Sequence, residues 1–340
     1  MSNKKILVTG GAGFIGAHTV VELVEAGYQP VIVDNLSRSD RTLLKGLKKI
    51  LKQKVVFYKG DCANQAFLKK VFETERNIEG AMHFAAFKSV NESVQNPTLY
   101  YSNNLNSLTS LVNVMREFGV KDLIFSSSCT VYGQPDHSPV SEDAPMKRAE
   151  SPYGATKQMS ERILEDVYPS GMRIVSLRYF NPIGAHPSAL IGELPVGVPG
   201  NLVPFITQTA IGKRNTLTVF GNDYSTPDGS CVRDFIHVVD VARAHIKSLE
   251  FLSKQGATPL YKVFNLGTGI GASVLELVNK FQQVTGVKLN YTIGPRRPGD
   301  VEKTYADPSK AFKELQWKPK YSIEDGLLHA WQWEEKLAKE

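Results

Sequence analysis

Short apolar runs of strand length alternate with amphipathic stretches through the first half of the chain. Ile6-Leu7-Val8, Val31-Ile32-Val33, Val55-Val56-Phe57-Tyr58, Ala81-Met82-His83-Phe84, Leu123-Ile124-Phe125 and Ile174-Val175-Ser176-Leu177 are close to continuously apolar. Continuous rather than alternating runs are the pattern of strands buried on both faces. Helical spacing fills the gaps, near Phe14 to Ala26 and at about 98–118 and 153–168. Strands separated by helices predict a parallel sheet covered on both sides, the doubly wound α/β class. After about residue 180 the pattern changes. Residues 181–232 are rich in Gly, Pro and Asn, which predicts loops and short elements over a ligand site. Regular pattern resumes at Phe235-Ile236-His237-Val238, with Asp240 the expected N-cap of a helix over Val241 to Phe251, and Val263-Phe264-Asn265-Leu266 reads as another strand. The expected division is 1–180 and 181–340, with the strands near 235–238 and 263–266 able to return to the first part.

Composition narrows the class. Of 340 residues, 42% are hydrophobic and 22% charged, which excludes a disordered chain. No apolar run approaches the ~18 residues of a membrane helix. Met1-Ser2-Asn3 runs straight into the first strand, so no signal peptide is expected. Cys62, Cys129 and Cys231 are odd in number and far apart, without metal-ligand spacing, and suit a reducing cytoplasm. The net charge of +6 is mild. The basic cluster Lys45, Lys48, Lys49, Lys52 and Lys54 reads as a solvated helix face, so no nucleic-acid partner is expected. A small positive excess also suits anionic small substrates.

Between the first strand and the first helix lies Thr9-Gly10-Gly11-Ala12-Gly13-Phe14-Ile15-Gly16. Glycines at 10, 13 and 16 permit a tight turn, let a pyrophosphate approach the backbone, and let helix pack on strand. The phosphates then meet free N–H groups at a helix N-terminus. Asp34 ends the second strand, where a carboxylate accepts the adenosine ribose diol and repels a 2′-phosphate. The expected cofactor is therefore NAD. Asp61, after the third strand, is placed near the adenine.

Tyr153-Gly154-Ala155-Thr156-Lys157 opens a helical stretch, and i, i+4 spacing puts phenol and ammonium on one face. A nearby cation favours phenolate, so Tyr153 is expected to fall from its reference of ~10 toward neutrality and carry a proton. Ser126-Ser127-Ser128 follows the fifth strand, at the end where a cofactor crevice opens. Ser128 can share a substrate proton with Tyr153, whereas Ser127 reads as a polar loop residue.

Together these pieces resemble the extended short-chain dehydrogenase/reductase family. Longer segments narrow the resemblance to UDP-glucose 4-epimerases: His83 to Lys88, Phe125 to Gly133, Ser151 to Gly154, Leu177 to Pro187, Phe220 to Tyr224 and Arg233 to Val238. The resemblance runs from about residue 5 to 335. It implies a permanently held NAD touched by Phe14, Ile15, Asp34, Asn35, Asp61, Cys62, Phe84, Ala85, Lys88 and Asn103, with Ser128, Tyr153, Lys157 and Phe180 at its nicotinamide end. For a UDP-hexose it implies contacts from Thr130, Tyr179, Asn181, Asn201, Leu202, Phe220, Arg233, Arg297, Asp300 and Thr304. Arg233 and Arg297 have the forked chemistry to neutralise a diphosphate. Ala86, Asn91, Ser107, Cys129 and Phe235 depart from the family's usual residues.

The implied reaction is reversible inversion at C4 of UDP-glucose and UDP-galactose through a transient 4-keto sugar. Thr304 stands where the family carries the residue beside the sugar's 2-substituent, and its small size implies room for N-acetylated sugars. A nucleotide-sugar 4,6-dehydratase would place an Asp-Glu pair where this chain has Cys129-Thr130. A non-catalytic NAD-sensing protein would not need Tyr153, Lys157 and Ser128 together. Apolar stripes at Leu105, Leu108, Leu111, Val112 and Met115, then at Met159, Ile163, Leu164 and Val167, predict packing on the sheet. The resemblance adds a homodimer through these helices. No metal site is expected.

Overall fold

The computed structural model describes residues 4–297 and 301–339. β1 (Lys5–Thr9) leads through the glycine turn into α1 (Phe14–Glu25), followed by β2 (Gln29–Asp34), α2 (Thr42–Leu51), β3 (Val56–Lys59), α3 (Gln65–Glu75) and β4 (Ile78–His83). A short α4 (Val90–Gln95) and a long α5 (Pro97–Glu117) lead to β5 (Asp122–Ser128). A 3-10 turn over Cys129–Tyr132, α6 (Pro152–Val167) and β6 (Arg173–Tyr179) come next. Beyond them lie β7 (Asn181–Ile183), α7 (Leu202–Ala210), β8 (Leu217–Phe220), β9 (Val232–Arg233), β10 (Phe235–His237), α8 (Val238–Lys254) and β11 (Leu260–Leu266). The chain finishes with β12 (Ala272–Ser273), α9 (Val274–Thr285), β13 (Tyr291–Gly294), β14 (Lys303–Thr304), α10 (Ser309–Glu314) and α11 (Ile323–Leu337).

Seven parallel strands form the main sheet in the order β11-β6-β5-β4-β1-β2-β3. The strand order reverses between β1 and β4, and in open α/β sheets ligands bind at the carboxyl ends of strands at such a switch point. One apolar layer, with Val20, Leu23, Ile32, Ile124, Val241 and Phe264, fills the face under α1 and α8. The other, with Leu7, Leu68, Leu108, Leu111, Met115 and Leu164, lies under α3, α5 and α6. Both faces are therefore dry, which is why the strands read as continuous apolar runs.

The later residues divide between this sheet and a smaller layer. β11 joins the main sheet beside β6, and α8 packs on α1. β10 pairs instead with β7, in parallel register Phe235 to Asn181, outside the main sheet. A third core, with Val203, Ile206, Leu217, Leu277, Phe281 and Leu327, holds the smaller part together. Helix starts carry recognisable caps. Ser151 accepts from Gly154 N with Pro152 behind it, and Ser273 forms a reciprocal capping box with Glu276. Asp240 is not the cap expected from sequence: α8 begins at Val238, three residues before the expected Val241, with His237 accepting from Val239 N. Asp240 is instead fully buried and accepts from the backbone N–H groups of Lys320 and Tyr321, both at 2.9 Å, pinning the entry to α11.

Candidate active site

The glycine turn is the narrowest part of the site. Gly10, at φ +71°, has no room for a side chain, because a Cβ there would stand 2.7 Å from Ala85 N. A Cβ on Gly16 would lie 2.3 Å from Gly10 O, so α1 closes onto the turn only through glycine. The turn leaves the start of α1 without a side-chain cap or an acidic residue in its first turn, a set of N–H donors suited to an anion. Asp34 is fixed by Ala12 N at 3.1 Å, Leu36 N at 2.8 Å and the Ser39 hydroxyl at 3.1 Å. Asn35 donates to Asp61 at 3.4 Å.

From this turn a cleft of about 710 Å³ runs across the carboxyl ends of the strands into the smaller part. All the cofactor residues expected from sequence line it: Gly10, Gly13, Phe14, Ile15, Gly16, Asp34, Asn35, Asp61, Cys62, Phe84, Ala85, Lys88, Asn103 and Phe180. The donors at α1, the acceptor at Asp34 and the Gly10 cradle fit a dinucleotide. Burial pushes the Cys62 thiol up to about 12, so it stays protonated.

Midway along the cleft stand Ser128, Tyr153 and Lys157. Ser128 caps the 3-10 turn and hydrogen-bonds Tyr153. The Lys157 ammonium donates to Ser126 O at 2.6 Å and lies 5.9 Å from the Tyr153 ring centre. Burial lowers it to about 8, while the Glu161 carboxylate one turn on opposes the shift. Tyr153 differs from expectation: burial pushes its phenol up to about 12. Lys157 is turned to a backbone carbonyl, so desolvation of the phenolate outweighs the neighbouring cation. Ser127 also differs. It is a buried strand residue rather than a loop residue, and donates to Glu161, which is paired with Arg178 at 2.6 Å.

Thr130, Tyr179, Asn181, Asn201, Leu202, Phe220, Arg233 and Arg297 line the far half of the cleft. The buried Thr130 hydroxyl has no hydrogen-bond partner among the described residues, an open valence suited to a ligand. Tyr179 hydrogen-bonds His245 at 2.7 Å. Arg297 lies over the Phe220 ring at 5.8 Å. Thr304 does not line the cleft; it sits on β14, in register with Arg233. Asp300 lies outside the described residues.

Three residues escaped sequence reasoning. Asn104, buried on α5, accepts from Phe87 N at 2.8 Å and donates to Phe87 O and Thr156, tying the loop after β4 to α6. Asp234 accepts from Thr268 N, Thr268 Oγ1, Gly269 N and Ala306 N, fixing the backbone beside Arg233. Glu193 accepts from both Lys88 and Asn201 at 2.7 Å. Asn104 and Glu193 carry no local motif, and Asp234 lies in the Arg233 to Val238 segment with no role of its own legible there, because each acts on residues distant in sequence or in a loop without periodicity. Among the described residues no cluster of His, Cys, Asp or Glu could hold a metal ion, and no helix is long and apolar enough to cross a membrane.

Fold and cleft define a doubly wound nucleotide-binding protein whose Ser, Tyr and Lys face the cofactor crevice. A profile of the GDP-mannose 4,6 dehydratase family matches residues 7–329. The chain is 51% identical over 334 residues to a UDP-glucose 4-epimerase of Dictyostelium discoideum, covering 97% of this chain and 95% of that protein. It is 48% identical to the UDP-glucose 4-epimerase of Bacillus subtilis, covering 97% and 96%. The crystal structure of UDP-glucose 4-epimerase from Bifidobacterium longum in complex with NAD+ and UDP superposes with a TM-score of 0.93 at 44% identity, over 98% of both chains. The chain belongs to this broad nucleotide-sugar family and, within it, to the UDP-glucose 4-epimerases.

Proposed function

We propose that this protein interconverts UDP-glucose and UDP-galactose by inverting C4 of the hexose, using a tightly held NAD. The observation that carries the reading is the joining of Ser128, Tyr153 and Lys157 to the glycine turn in one cleft. When bound, NAD supplies the hydride acceptor and donor for C4. Phe14, Ile15, Asp34, Asn35, Asp61, Lys88 and Asn103 hold it. Tyr153 takes the proton of the 4-hydroxyl and later returns it, with Ser128 sharing the hydrogen bond. In the ligand-free site burial keeps the phenol protonated, so Tyr153 takes that proton only once the Lys157 ammonium, 5.9 Å from its ring, turns from Ser126 O toward the phenolate. Arg233 and Arg297 neutralise the diphosphate, leaving the sugar loose enough for its 4-keto form to present either face.

Cys129 and Thr130 decide against dehydration. Removing water across C5 and C6 needs a general acid and base, and burial pushes the Cys129 thiol up to about 11. Thr304 supports acceptance of N-acetylated sugars: it is a small side chain on β14, paired with the cleft residue Arg233. Residues 1–180, with α8 and β11 added, form the cofactor half; most of 181–340 forms the nucleotide-sugar half. The protein is a cytoplasmic homodimer in this reading. Free cysteines suit a reducing compartment, and exposed Leu99 and Met159 on α5 and α6 offer an apolar face, while Leu108, Leu111, Met115 and Leu164 are spent on the sheet.

The test is purified protein given UDP-galactose and UDP-N-acetylgalactosamine side by side without added cofactor. Turnover, with NAD released on denaturation and seen in the native mass spectrum, is the expected result. Accumulation of NADH with stoichiometric dependence on added NAD would instead indicate a dehydrogenase.

A further inference from the structure

The strand-poor segment after β7 is anchored at one end and open at the other. Its backbone is fixed by two close approaches. A Cβ on Gly46 of α2 would lie 2.0 Å from Leu190 O, and one on Gly192 would lie 2.5 Å from the Trp333 ring. Trp333 Nε1 also donates to Glu193 O at 2.9 Å. Immediately beyond, Leu194 to Gly200 forms a loop with Val196 and Val198 exposed, and Val198, Pro199 and Gly200 line the cleft mouth. The loop ends at Asn201, where α7 begins.

One carboxylate oxygen closes this arrangement. Glu193 Oε1 accepts from Asn201 Nδ2 at 2.7 Å, joining the two ends of the loop, and from Lys88 Nζ at 2.7 Å, on the loop after β4. The Glu193 side chain is 11% exposed, against 59% for Lys88. A nearly buried carboxylate shared between a cation and an amide holds both donors in fixed positions.

We propose that Glu193 is a positioning residue that couples the cofactor half of the cleft to the nucleotide-sugar half. It pins the neck of loop 194–200 and holds Lys88 and Asn201 ready for their ligands. This rests on the reading above, in which Lys88 faces NAD and Asn201 faces the UDP-sugar. Glu193 reaches both through its side chain alone, because the Trp333 bond holds its backbone. Preorganised donors bind a ligand without the ordering entropy that free side chains would lose.

The test measures UDP binding by calorimetry and UDP-galactose kinetics on the NAD-loaded protein. Glu193→Ala removes both bonds; Glu193→Gln keeps an oxygen for Asn201 but loses the ion pair with Lys88. Glu193→Ala is expected to raise the UDP Kd and the KM tenfold or more, with kcat within threefold of wild type. Glu193→Gln is expected to raise Kd two- to fourfold and remains informative if the alanine variant folds poorly. A Kd within twofold of wild type in folded Glu193→Ala, with only a lower melting temperature, makes the residue a plain structural anchor and overturns the proposal. A hundredfold loss of kcat at unchanged KM also overturns it, by placing Glu193 in the chemistry. Wild type that binds UDP without epimerising would overturn the functional reading while leaving the Kd comparison intact.

Discussion

At the scale of single residues, the chemistry concentrates on one phenol whose surroundings keep it protonated. Tyr153 is pushed up to about 12 by burial, and Lys157 is lowered to about 8. A positioned acid–base group contributes about 10²–10⁴ in rate. Tyr153→Phe is therefore expected to lower kcat by that order while keeping the fold and the bound NAD, since only a hydroxyl is removed. Steady-state rates with cofactor content measured on the same preparation check it, and wild-type-like turnover would remove Tyr153 from the mechanism. At Thr304 the expected outcome is a split between substrates. Thr304→Tyr should abolish turnover of UDP-N-acetylglucosamine and leave UDP-glucose within about tenfold, ~1.4 kcal/mol in barrier. Equal losses on both sugars would show that bulk at this position does not select by sugar size. Tyr153 and Lys157 were legible because four-residue spacing on a helix is a local signal. Glu193, Asn104 and Asp234 were not, because their partners are supplied by the fold: Lys88 lies 105 residues from Glu193.

At the scale of elements, the same distinction separates what the chain announces from what packing decides. β1, the glycine turn and α1 were legible together because each local choice agrees: apolar run, flexible turn, helical stripe. The expected start of α8 falls three residues late because Asp240 is a strong capping type on sequence, yet its carboxylate is drawn inward by the backbone of Lys320 and Tyr321, about 80 residues away. The strand at 235–237 was visible, but its partner was not, since period and composition do not say which sheet a strand joins. The glycine turn gives the prediction at this scale. Gly16→Ala drives a Cβ to 2.3 Å from Gly10 O, and backbone cannot yield as a flexible side chain can. α1 must lift from the turn, at a cost of about 1–3 kcal/mol, and its N-terminal donors move with it. Lower thermal stability together with loss of bound NAD is expected, read by melting curves and native mass spectrometry. Full NAD occupancy at wild-type stability would show that α1 does not depend on this approach.

For the whole molecule, the buried titratable groups set how stability responds to acid. Burial holds His18 and His83 down to about 3, His245 to about 4 and His237 to about 2. His245 sits between Tyr179 and Val241 O, and His83 beside Thr9 and the Lys157 charge. In the unfolded chain each returns to ~6.5. The folded values lie below the unfolded ones, so the unfolded state binds more protons between them. Stability then rises with pH across that window and is lost as pH falls below about 6.5, by at most about 1.4 kcal/mol per pH unit for each histidine. Lys157 acts in the same direction at the alkaline end: the penalty for burying its charge is present below about 8 and relieved as pH rises toward 10.5. Asp234 and Asp240 act in opposition, because burial raises their carboxyls and the folded state takes up protons first as pH falls. The histidine effect develops as pH falls through about 6.5, so it is read between pH 7.5 and 5.5. Melting temperature is expected to fall steadily over this interval, and His245→Gln, which removes one of six lowered imidazoles (His186 and His329 are lowered as well), should reduce the slope once its own baseline stability is subtracted. Superimposable melts at pH 7.5 and 5.5 would mean that these imidazoles reach water in the folded protein, contrary to the packing of α1 and α8 on the sheet.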